Sequence, residues 1–454
     1  MSSLKSIGIG VAVVGGLVGM LFATGVVSLR KHSEETDEVD PELESLSYLN
    51  TPEMSAEDKK KRLVTVHKPS AEKDGLGIAV PIGSGLEFRE LRKRGHDEAL
   101  RFARLIDMEG REVHRWSDPV GRGESAEPGW AVAKVRDDGA LFAIDNRAAV
   151  VQLDWDSNVE WEVAGAFHHD LDFRPEGGIV VLEERPVRLL DEGEPYELLD
   201  DGFTWIAADG SIEKQFWVHD ALEGEEFYER HIAKRNKRWR KSRRQKMEAQ
   251  DSFSISCGFS EPELQQGDFI HANSVEILTR DVEGVGSKGD ILATLRELDM
   301  IATFSAEDGR LLWSWGADDL DRPHDPSLLG NGHVLVFDNG WHRKRSRLVE
   351  MDPASGKIVW KFGGRRSKNR LWSKKRGLAQ KLSNGHYLAN ASQAGRAVEV
   401  TRKGTIVWDY YSPDILGDYR VPMRYIRLQG DAAASVRALL DKRGGAPGKP
   451  ISGS

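Results

Sequence analysis

Three histidines share a register with a repeated glycine turn, and they are the residues of this sequence best suited to chemistry. His169 and His324 each precede a turn glycine by eight positions, and His271 opens the equivalent strand of a unit with a longer hairpin. A neutral imidazole can act as a nucleophile, a general base or a metal ligand. Asn273 and Asp325 lie beside the second and third histidines. One histidine is more often structural than catalytic, but three in one register predict a shared site.

The glycine turns that set this register belong to a hairpin unit that recurs along the chain. In its clearest copy, Asn331-Gly332 separates two alternating apolar runs, which is the strongest short-range hairpin signal. His333 and His386 directly follow their turn glycines, so we interpret both as structural. The same turn followed by a short apolar strand also occurs at Gly139, Gly177-Gly178, Gly289 and Gly385.

A second pattern alternates with the first: a turn residue followed by apolar side chains at the second, fourth and sixth positions. It begins at Ser157, Gly309, Gly356 and Gly404, with weaker copies at Gly110 and Gly210. Such alternation predicts a strand with one face in a core, and most copies lie roughly 45 to 55 residues apart, the period of β-propeller blades.

These repeats predict an all-β fold, a six-bladed β-propeller over residues 70–428. A solenoid of hairpins is the competing arrangement, but it needs capping repeats, and none is apparent. The strand-like segment 419–428 is predicted to return to the first blade, supply its inner strand and close the ring.

One interval between copies is longer than the others because it holds an insertion, residues 223–265, between blades 3 and 4. Within it, residues 234–246 are strongly basic, include Trp239 and are predicted to form a helix. They indicate a contact with anionic lipid or with an acidic protein partner. The alternative is a solvated helix whose charge is balanced by nearby glutamates, namely Glu223, Glu225, Glu226 and Glu229.

The amino terminus carries an uncharged apolar run, residues 7–29, long enough to cross a bilayer as a single-pass transmembrane helix. It predicts a membrane anchor over 1–32, followed by an acidic and polar linker over 33–69. A cleaved signal peptide is the alternative, but the run is longer than usual and no convincing cleavage site follows it. The flanking positive charges decide the orientation only weakly. The Gly- and Pro-rich tail, 429–454, is predicted to be disordered in part.

The overall composition narrows the function only slightly. The net charge of -9 gives no nucleic-acid signal, so we predict no nucleic-acid partner. The single cysteine, Cys257, excludes an internal disulfide framework and fits a reducing or an oxidising compartment.

Over roughly residues 70 to 428 the sequence resembles the aryl-sulfate sulfotransferase family. Members are extracytoplasmic six-bladed propellers that move a sulfuryl group between phenols through a covalent sulfo-histidine. The resemblance implies a periplasmic propeller, an aryl sulfate and a phenol or another anionic small molecule as ligands, and no cofactor. It rests on Asp268-Phe-Ile-His271-Ala-Asn273-Ser-Val, on Pro323-His324-Asp325 with Phe337-Asp338-Asn339-Gly340, and on Gly395-Arg396-Ala-Val-Glu399-Val with Gly404-Thr-Ile-Val-Trp408.

The resemblance also implies roles for single residues. His271 and His324 occupy the positions of the family's channel histidines, which implies that they are catalytic. Arg343 matches an arginine that holds the sulfate, with Arg345 or Arg347 as its alternatives.

The register adds three substrate-binding candidates, His169, Asn273 and Asp325. Arg396, from the last motif of the resemblance, is a further candidate for binding an anion. The family's covalent histidine belongs on the last blade, where residues 388–396 contain no histidine. We therefore expect no sulfo-histidine on that blade, and weak transfer or none.

Three readings of the site stay open. If chemistry survives, His271 or His324 is the nucleophile or general base, helped by Asn273 or Asp325. The propeller could instead be a non-catalytic scaffold in a membrane complex that binds a ligand or protein. A metal site on the three histidines is the third reading, but no closely spaced ligand pair supports it, and we assign no metal ligand.

Overall fold

The computed structural model describes nine stretches of the chain, and the predicted anchor run 7–29 lies outside them. The described residues are 60–61, 63–73, 75–82, 100–118, 129–191, 194–248, 266–363, 370–416 and 419–443. Two compact units divide the chain: Met1–Ser47 with Arg238–Ser252, and Tyr48–Lys237 with Phe253–Ser454. The second unit holds every strand named below. Among the described residues, no helix has the length and apolar character needed to cross a membrane.

The strands of the described residues form six sheets of four or five strands and one short hairpin. In chain order they are β1 (Leu63–His67), β2 (Gly77–Pro81), β3 (Phe102–Ile106), β4 (Glu112–Ser117), β5 (Trp130–Val135), β6 (Leu141–Asp145), β7 (Ala149–Leu153), β8 (Val159–Ala164), β9 (Phe167–Phe173), β10 (Ile179–Asp191), β11 (Glu194–Ile206), β12 (Ile212–Trp217), β13 (Gln266–Gly267), β14 (Ala272–Ile277), β15 (Ile291–Leu295), β16 (Met300–Phe304), β17 (Leu311–Trp315), β18 (Pro323–Leu328), β19 (Val334–Asp338), β20 (Arg347–Asp352), β21 (Lys357–Phe362), β22 (Leu378–Lys381), β23 (Tyr387–Ala391), β24 (Arg396–Val400), β25 (Ile406–Tyr411), β26 (Ile415–Leu416), β27 (Tyr419–Arg420) and β28 (Met423–Arg427).

Each of the six sheets is one antiparallel blade, so the chain is a six-bladed all-β propeller, as predicted. Blades 2 to 5 are built from consecutive strands, β5–β8, β9–β12, β14–β17 and β18–β21. Blade 3 also holds β13, which pairs in parallel with β11. In blades 1, 2, 4, 5 and 6 the second strand is buried throughout, as in β19, because neighbouring blades cover both faces. In β21, the fourth strand of blade 5, partly buried residues alternate with exposed ones, because the outer side of this strand meets solvent.

Strands from the two ends of the described chain complete blades 1 and 6. Blade 1 has the order β28-β2-β3-β4, with Met423–Arg427 paired to Gly77–Pro81. The predicted return of segment 419–428 to the first blade is therefore confirmed. Blade 6 contains β22–β25 with β1 as a fifth strand on its outer edge. The predicted linker boundary at residue 69 is wrong, because Leu63–His67 already belongs to this sheet.

Three α-helices complete the described structure: α1 (Val218–Leu222), α2 (Glu226–Glu248) and α3 (Gly430–Lys442). Helix α2 lies in the insertion between blades 3 and 4, and Tyr228 and Ile232 of its first turns are buried in the core. Helix α3 occupies the first part of the tail, where Val436 is fully buried against blades 1 and 2. Partial disorder of the tail stays a prediction, because residues 444–454 lie outside the described stretches.

A side-chain hydrogen bond joins each blade to the next at the outer rim, and we call these six contacts the rim bonds. In each, a donor on the fourth strand reaches a backbone carbonyl in the turn between the third and fourth strands of the next blade. From blade 1 onward the pairs are His114–Trp155, Trp161–Ala208, Lys214–Ala306, Trp315–Gly356, Trp360–Arg402 and Trp408–Met108. In every blade but the fourth, the donor stands four positions after the turn residue of the second pattern.

Candidate active site at the channel mouth

The three predicted histidines lie where the innermost strands of blades 3, 4 and 5 begin. His169 is in β9, His271 directly precedes β14, and His324 is in β18. The rings of His169 and His271 meet edge to face, with centroids 4.9 Å apart. His271 is also one of the charges that act on the buried His324. The structure thus brings three histidines from consecutive blades to one end of the channel, which we call the mouth.

The backbone at two of these positions is left-handed, a conformation that few non-glycine residues adopt. His169 and His271 both have φ of 54°. The pairing of β9 with β10 and of β14 with β15 shifts register at the same places, so each inner strand begins with a β-bulge. A bulge turns a side chain away from the regular alternation of a strand. Left-handed residues in bulges are strained, and such strain is concentrated at functional sites.

His271 is held by a carboxylate. Its Nδ1 donates to Asp268 Oδ2 in a short hydrogen bond. Burial would raise the pKa of Asp268, but the contact with His271 outweighs it and lowers that pKa below its ordinary value. The side chains of His271 and Asp268 are 18% and 21% exposed, so the pair borders the channel. A carboxylate on Nδ1 fixes the tautomer and leaves the Nε2 lone pair available for chemistry.

His169 continues into a buried chain of polar groups. Its Nδ1 lies 2.7 Å from His168 Nδ1, and His168 Nε2 lies 3.4 Å from Asp201 Oδ1. Burial lowers the pKa of His168 to about 4. Burial, with the charge of His271, also lowers the pKa of His169 well below its ordinary value. Both imidazoles are therefore neutral near pH 7.

His324 already uses both of its ring nitrogens. Nε2 accepts from the backbone N–H of Arg376 at 3.1 Å, so the proton is on Nδ1, which donates to Asn339 Oδ1 at 2.7 Å. Burial, followed by the charge of Arg296, lowers the pKa of His324 well below its ordinary value. This histidine joins blade 5 to blade 6 as a neutral group. A catalytic role for it stays a prediction, and it requires the loss of one of these bonds.

Cationic side chains surround His324 and lie next to His271. Arg296 follows β15, and its backbone N–H donates to the carbonyl of His271 at 3.1 Å. Burial, followed by the charges of the other four, lowers the pKa of Lys375 to about 5, so these charges lie close together. The centre of the Trp341 ring lies 4.4 Å from Arg322 Cζ and 3.8 Å from Lys374 Nζ, so the ring packs between these two side chains. The members of this cationic cluster are Arg296, Arg322, Lys374 and Arg376, and Lys375 is neutral among them near pH 7.

One buried carboxylate connects the cluster to the insertion. Glu297 contacts Arg296 and Arg235 at short distance, and it lies 3.5 Å from Arg322. Arg235 is on helix α2, inside the basic segment 234–246. His231 of the same helix contacts the carbonyl of Phe269 at 2.9 Å, two residues before His271. The first turns of helix α2, which carry His231 and Arg235, therefore pack directly behind the mouth.

Two of the predicted substrate-binding residues join neighbouring blades. Asp325 Oδ2 accepts from the backbone N–H of Ala379 at 2.8 Å. Asn273 is 3% exposed, and its Nδ2 donates to the carbonyl of Pro323 at 3.2 Å. Asp325 keeps a side-chain exposure of 17%. Its contact with substrate stays a prediction, and its structural role is evident.

The arginines that were predicted to bind an anionic substrate form ion pairs with carboxylates of their own blades. Arg343 donates to the fully buried Asp338 at 2.6 Å, and Arg347 donates to the same oxygen at 2.6 Å. Arg396, on the third strand of blade 6, forms two bonds to Asp409 on the fourth strand, 2.8 and 2.7 Å long. The arginines that the structure places next to the histidines are Arg296 and Arg376.

The last blade has no histidine at the mouth, as the sequence shows. The buried Asn390 donates to the carbonyl of Arg396 at 3.0 Å and accepts from Ser392 at 2.8 Å. Gln393 is also buried, and its backbone N–H donates to Ser373 Oγ at 3.1 Å. Polar groups that hold the mouth together occupy this position. Within the described stretches, no set of three or more His, Cys, Asp or Glu side chains is placed to bind a metal ion.

Sequence reasoning missed three kinds of site residue. Asp268 stands three positions before His271, and that spacing could have marked it as the partner of the histidine. Arg296 follows an inner hairpin strand, so the blade register could have placed it at the mouth. Asp201 carried no local signal, because blade 3 alone has long second and third strands, and their pairing brings it to His168.

Comparison with known proteins gives one match that defines a family. No curated protein matches the chain. Among solved structures, a protein of unknown function from Bacteroides caccae has a TM-score of 0.46 and 12% identity, over 79% of this chain and all 100% of that one. Virginiamycin B lyase from Staphylococcus aureus has a TM-score of 0.40 and 9% identity, over 73% and 88%. The sequence pattern of the arylsulfotransferase (ASST) family matches residues 150–412, more than half of the chain and all three histidine positions. The chain belongs to the arylsulfotransferase family.

Proposed function

We propose that this propeller transfers a sulfuryl group from an aryl sulfate to a phenolic acceptor at the channel mouth, with His271 as the group that attacks sulfur. The observation that carries the proposal is the His271–Asp268 pair, which borders the channel next to the cationic cluster. Asp268 orients the ring and stabilises the positive charge that develops on it.

The reaction takes two steps. The Nε2 lone pair of His271 forms a bond to sulfur, and the aryl O–S bond breaks with its electrons on the departing phenolate. The oxygen of the acceptor phenol then attacks the same sulfur, the N–S bond breaks, and the electron pair returns to Nε2. The proton that the acceptor loses replaces the one that the departing phenolate takes up, so the overall reaction releases no proton and His271 ends as it began.

Negative charge on the sulfuryl oxygens is balanced by the cationic cluster. Arg296 and Arg376 lie next to the histidines along the backbone, where their N–H groups bond to His271 and His324. The charge of Arg296 also acts on His324. Fixed cations at a partly buried site stabilise a transition state that spreads negative charge over oxygens. Guanidinium groups also present a rigid fork of donors to an oxyanion.

The test is transfer from a chromogenic aryl sulfate to a phenol by the full-length chain. His271→Asn should abolish transfer, and Asp268→Asn should reduce it strongly. His67→Ala, on the outer edge strand of blade 6, is the control and should keep the activity of the parent chain. Mass spectrometry of the acid-quenched reaction should find a sulfuryl adduct on the peptide with His271 and none on residues 388–396. Unchanged transfer by His271→Asn contradicts the proposal.

A second candidate is a propeller that binds an anion without turnover. The observation in its favour is that the last blade carries Asn390, Ser392 and Gln393 in buried structural bonds where the family has its covalent histidine. Calorimetric binding of an aryl sulfate, with no phenol released over hours, would support this candidate against the transferase.

We also propose that residues 7–29 anchor the chain in a membrane with the propeller on the extracytoplasmic side. The uncharged run and the family resemblance support this. A reporter fused after Ser454 should act as an extracytoplasmic protein. Residues 234–246 are then proposed to contact anionic lipid or an acidic partner, and binding to vesicles with and without anionic lipid tests that role.

A further inference from the structure

We propose that Asp201, His168 and His169 form a proton relay that ends on the phenolic oxygen at the channel mouth. His169 would exchange the proton with the departing or attacking oxygen, and His168 and Asp201 would act through it as positioning residues. The inference rests on the proposed sulfuryl transfer, which creates a phenolate in its first step and consumes a phenol in its second.

The geometry is a line of polar groups from the blade interior to the mouth. Asp201 Oδ1 lies 3.4 Å from His168 Nε2, which makes no hydrogen bond within the described residues, so the two groups must move closer for a proton to pass. The two Nδ1 atoms of His168 and His169 are 2.7 Å apart. His168 is 1% exposed and Asp201 is 5% exposed, so the inner part of the line is dry. His169 is partly exposed, and its ring contacts that of His271, the proposed nucleophile.

Two adjacent imidazoles joined through Nδ1 can share only one proton between those atoms. One neutral ring donates Nδ1–H, and the other accepts on Nδ1 and carries its own proton on Nε2. In the resting arrangement His168 donates, so the His169 proton is on Nε2, the free edge of that ring. His168 Nε2 is then an acceptor, and it faces the Asp201 carboxyl.

The charges around the line set its protonation. Asp201 faces Asp268, Asp200 and Glu184, and burial together with Asp268 raises its pKa well above the ordinary value. The relay requires Asp201 to hold a proton on Oδ1, and the direction of this shift favours that state. Its other oxygen, Oδ2, accepts from the backbone N–H of Ala272 at 2.9 Å. Asp268, whose pKa is lowered by the contact with His271, stays a carboxylate beside that ring.

The two histidines are kept neutral by different neighbours. His168 faces Glu184, Arg147 and His271, and burial is the main reason that its pKa falls to about 4. Burial, with the charges of His271, His168, Arg147 and His324, keeps the pKa of His169 low. The backbone of His169 is fixed by Arg424, which donates to its carbonyl at 2.9 Å.

The relay balances in three proton transfers. As the aryl O–S bond breaks, His169 Nε2–H passes to the phenolate oxygen, His168 Nδ1–H passes to His169 Nδ1, and Asp201 O–H passes to His168 Nε2. Both imidazoles end neutral in the opposite tautomer, and Asp201 ends as a carboxylate. Attack by the acceptor phenol returns its proton along the same line and restores the resting state.

The experiment compares two donors in the full-length chain: phenyl sulfate, whose leaving group is strongly basic, and a nitrophenyl sulfate, whose leaving group is weakly basic. Asp201→Asn keeps an acceptor for Ala272 but has no acidic proton. It should lower transfer from phenyl sulfate by about 10²-fold or more, and transfer from the nitrophenyl donor much less. His168→Gln should show the same contrast between donors.

His386→Gln is the control, since His386 also contacts a carboxylate, Glu399 at 2.8 Å, at the opposite end of its blade. It should affect both donors equally or not at all. Equal losses with both donors in Asp201→Asn and His168→Gln would indicate a structural role and overturn the relay. If His271→Asn abolishes transfer while Asp201→Asn and His168→Gln keep wild-type rates, the relay is overturned and the proposed sulfuryl transfer is not.

If the chain transfers no sulfuryl group, the relay can still be tested by a measurement that needs no turnover. Imidazole ¹⁵N spectra should show His168 and His169 neutral from about pH 6 to 8, with one proton shared by the two Nδ1 atoms. Asp201→Asn should change the tautomer signals of His168. A charged His169 near pH 7, or no shared proton, would overturn the proposal whatever the activity.

Discussion

The rim and the mouth of this propeller use equivalent positions of the repeated blade in opposite ways. At the rim, histidine, tryptophan and lysine donors make one kind of bond at all six junctions. At the mouth, one residue type at matched positions has three environments, a carboxylate for His271, a second histidine for His169 and an amide for His324. The same contact made by different residue types indicates a structural role. Different contacts made by the same residue type indicate a functional site.

Removing the strand that completes blade 1 is expected to have the largest effect. A chain that ends at Val421 loses β28, so β2 becomes an open inner edge and the buried Tyr425 leaves the core. We expect no cooperative unfolding transition by circular dichroism. A chain that ends at Gln429 loses only α3 and should stay folded with a lower Tm. A folded, cooperative protein ending at Val421 would show that the ring does not need its closing strand.

His271→Asn tests the mouth with little risk to the fold. Asparagine tolerates the left-handed backbone at this position better than alanine does. We expect a loss of transfer on the order of 10³-fold or more, because the nucleophile is absent, with a Tm close to that of the parent. If the Tm falls sharply instead, His271 belongs with the architectural residues and the contrast with the rim fails.

Replacing rim tryptophans with phenylalanine should cost stability and leave activity unchanged. Trp408 is fully buried, so Trp408→Phe leaves the carbonyl of Met108 without its donor and should lower the free energy of unfolding by about 2 kcal/mol. Trp161 is partly exposed and water can replace its bond, so Trp161→Phe should cost about 1 kcal/mol or less. Urea unfolding measures both. Equal costs would mean that burial does not control the strength of a rim bond.

The smallest effect concerns Glu350, which accepts from Tyr387 at 2.6 Å at the end of the blades opposite the mouth. Burial would raise its pKa, but hydrogen bonds from Tyr387, His333 and Arg402 lower it to about 2. The stabilisation is therefore present above the unfolded pKa of about 4.3 and is lost as the pH falls towards 2. The Tm difference between the parent and Glu350→Gln should shrink between pH 7 and 3. The exposed Glu226→Gln is the control, and a constant difference would contradict this assignment.

The sequence predicted the parts of this molecule that repeat. Glycine turns and alternating apolar positions were enough for the blade count, the closing strand and the register of His169, His271 and His324. The edge strand Leu63–His67 was missed because it pairs with a strand more than 300 positions away and has no turn signal of its own. Arg343 and Arg396 were chosen by resemblance and position, but single-sequence reasoning could not see that Asp338 and Asp409 hold them.

The closing strand also sets the order in which the molecule can be made. Residues Met423–Arg427 must pair with Gly77–Pro81, and the rim bond at the same junction joins residues 300 positions apart. Blades 2 to 5 each contain consecutive strands, so they can form as the chain leaves the ribosome. Blade 1 must wait, with β2 unpaired, until nearly the whole chain exists. Contacts of such sequence separation form slowly, so the unfinished ring is the species most exposed to aggregation and most in need of a chaperone.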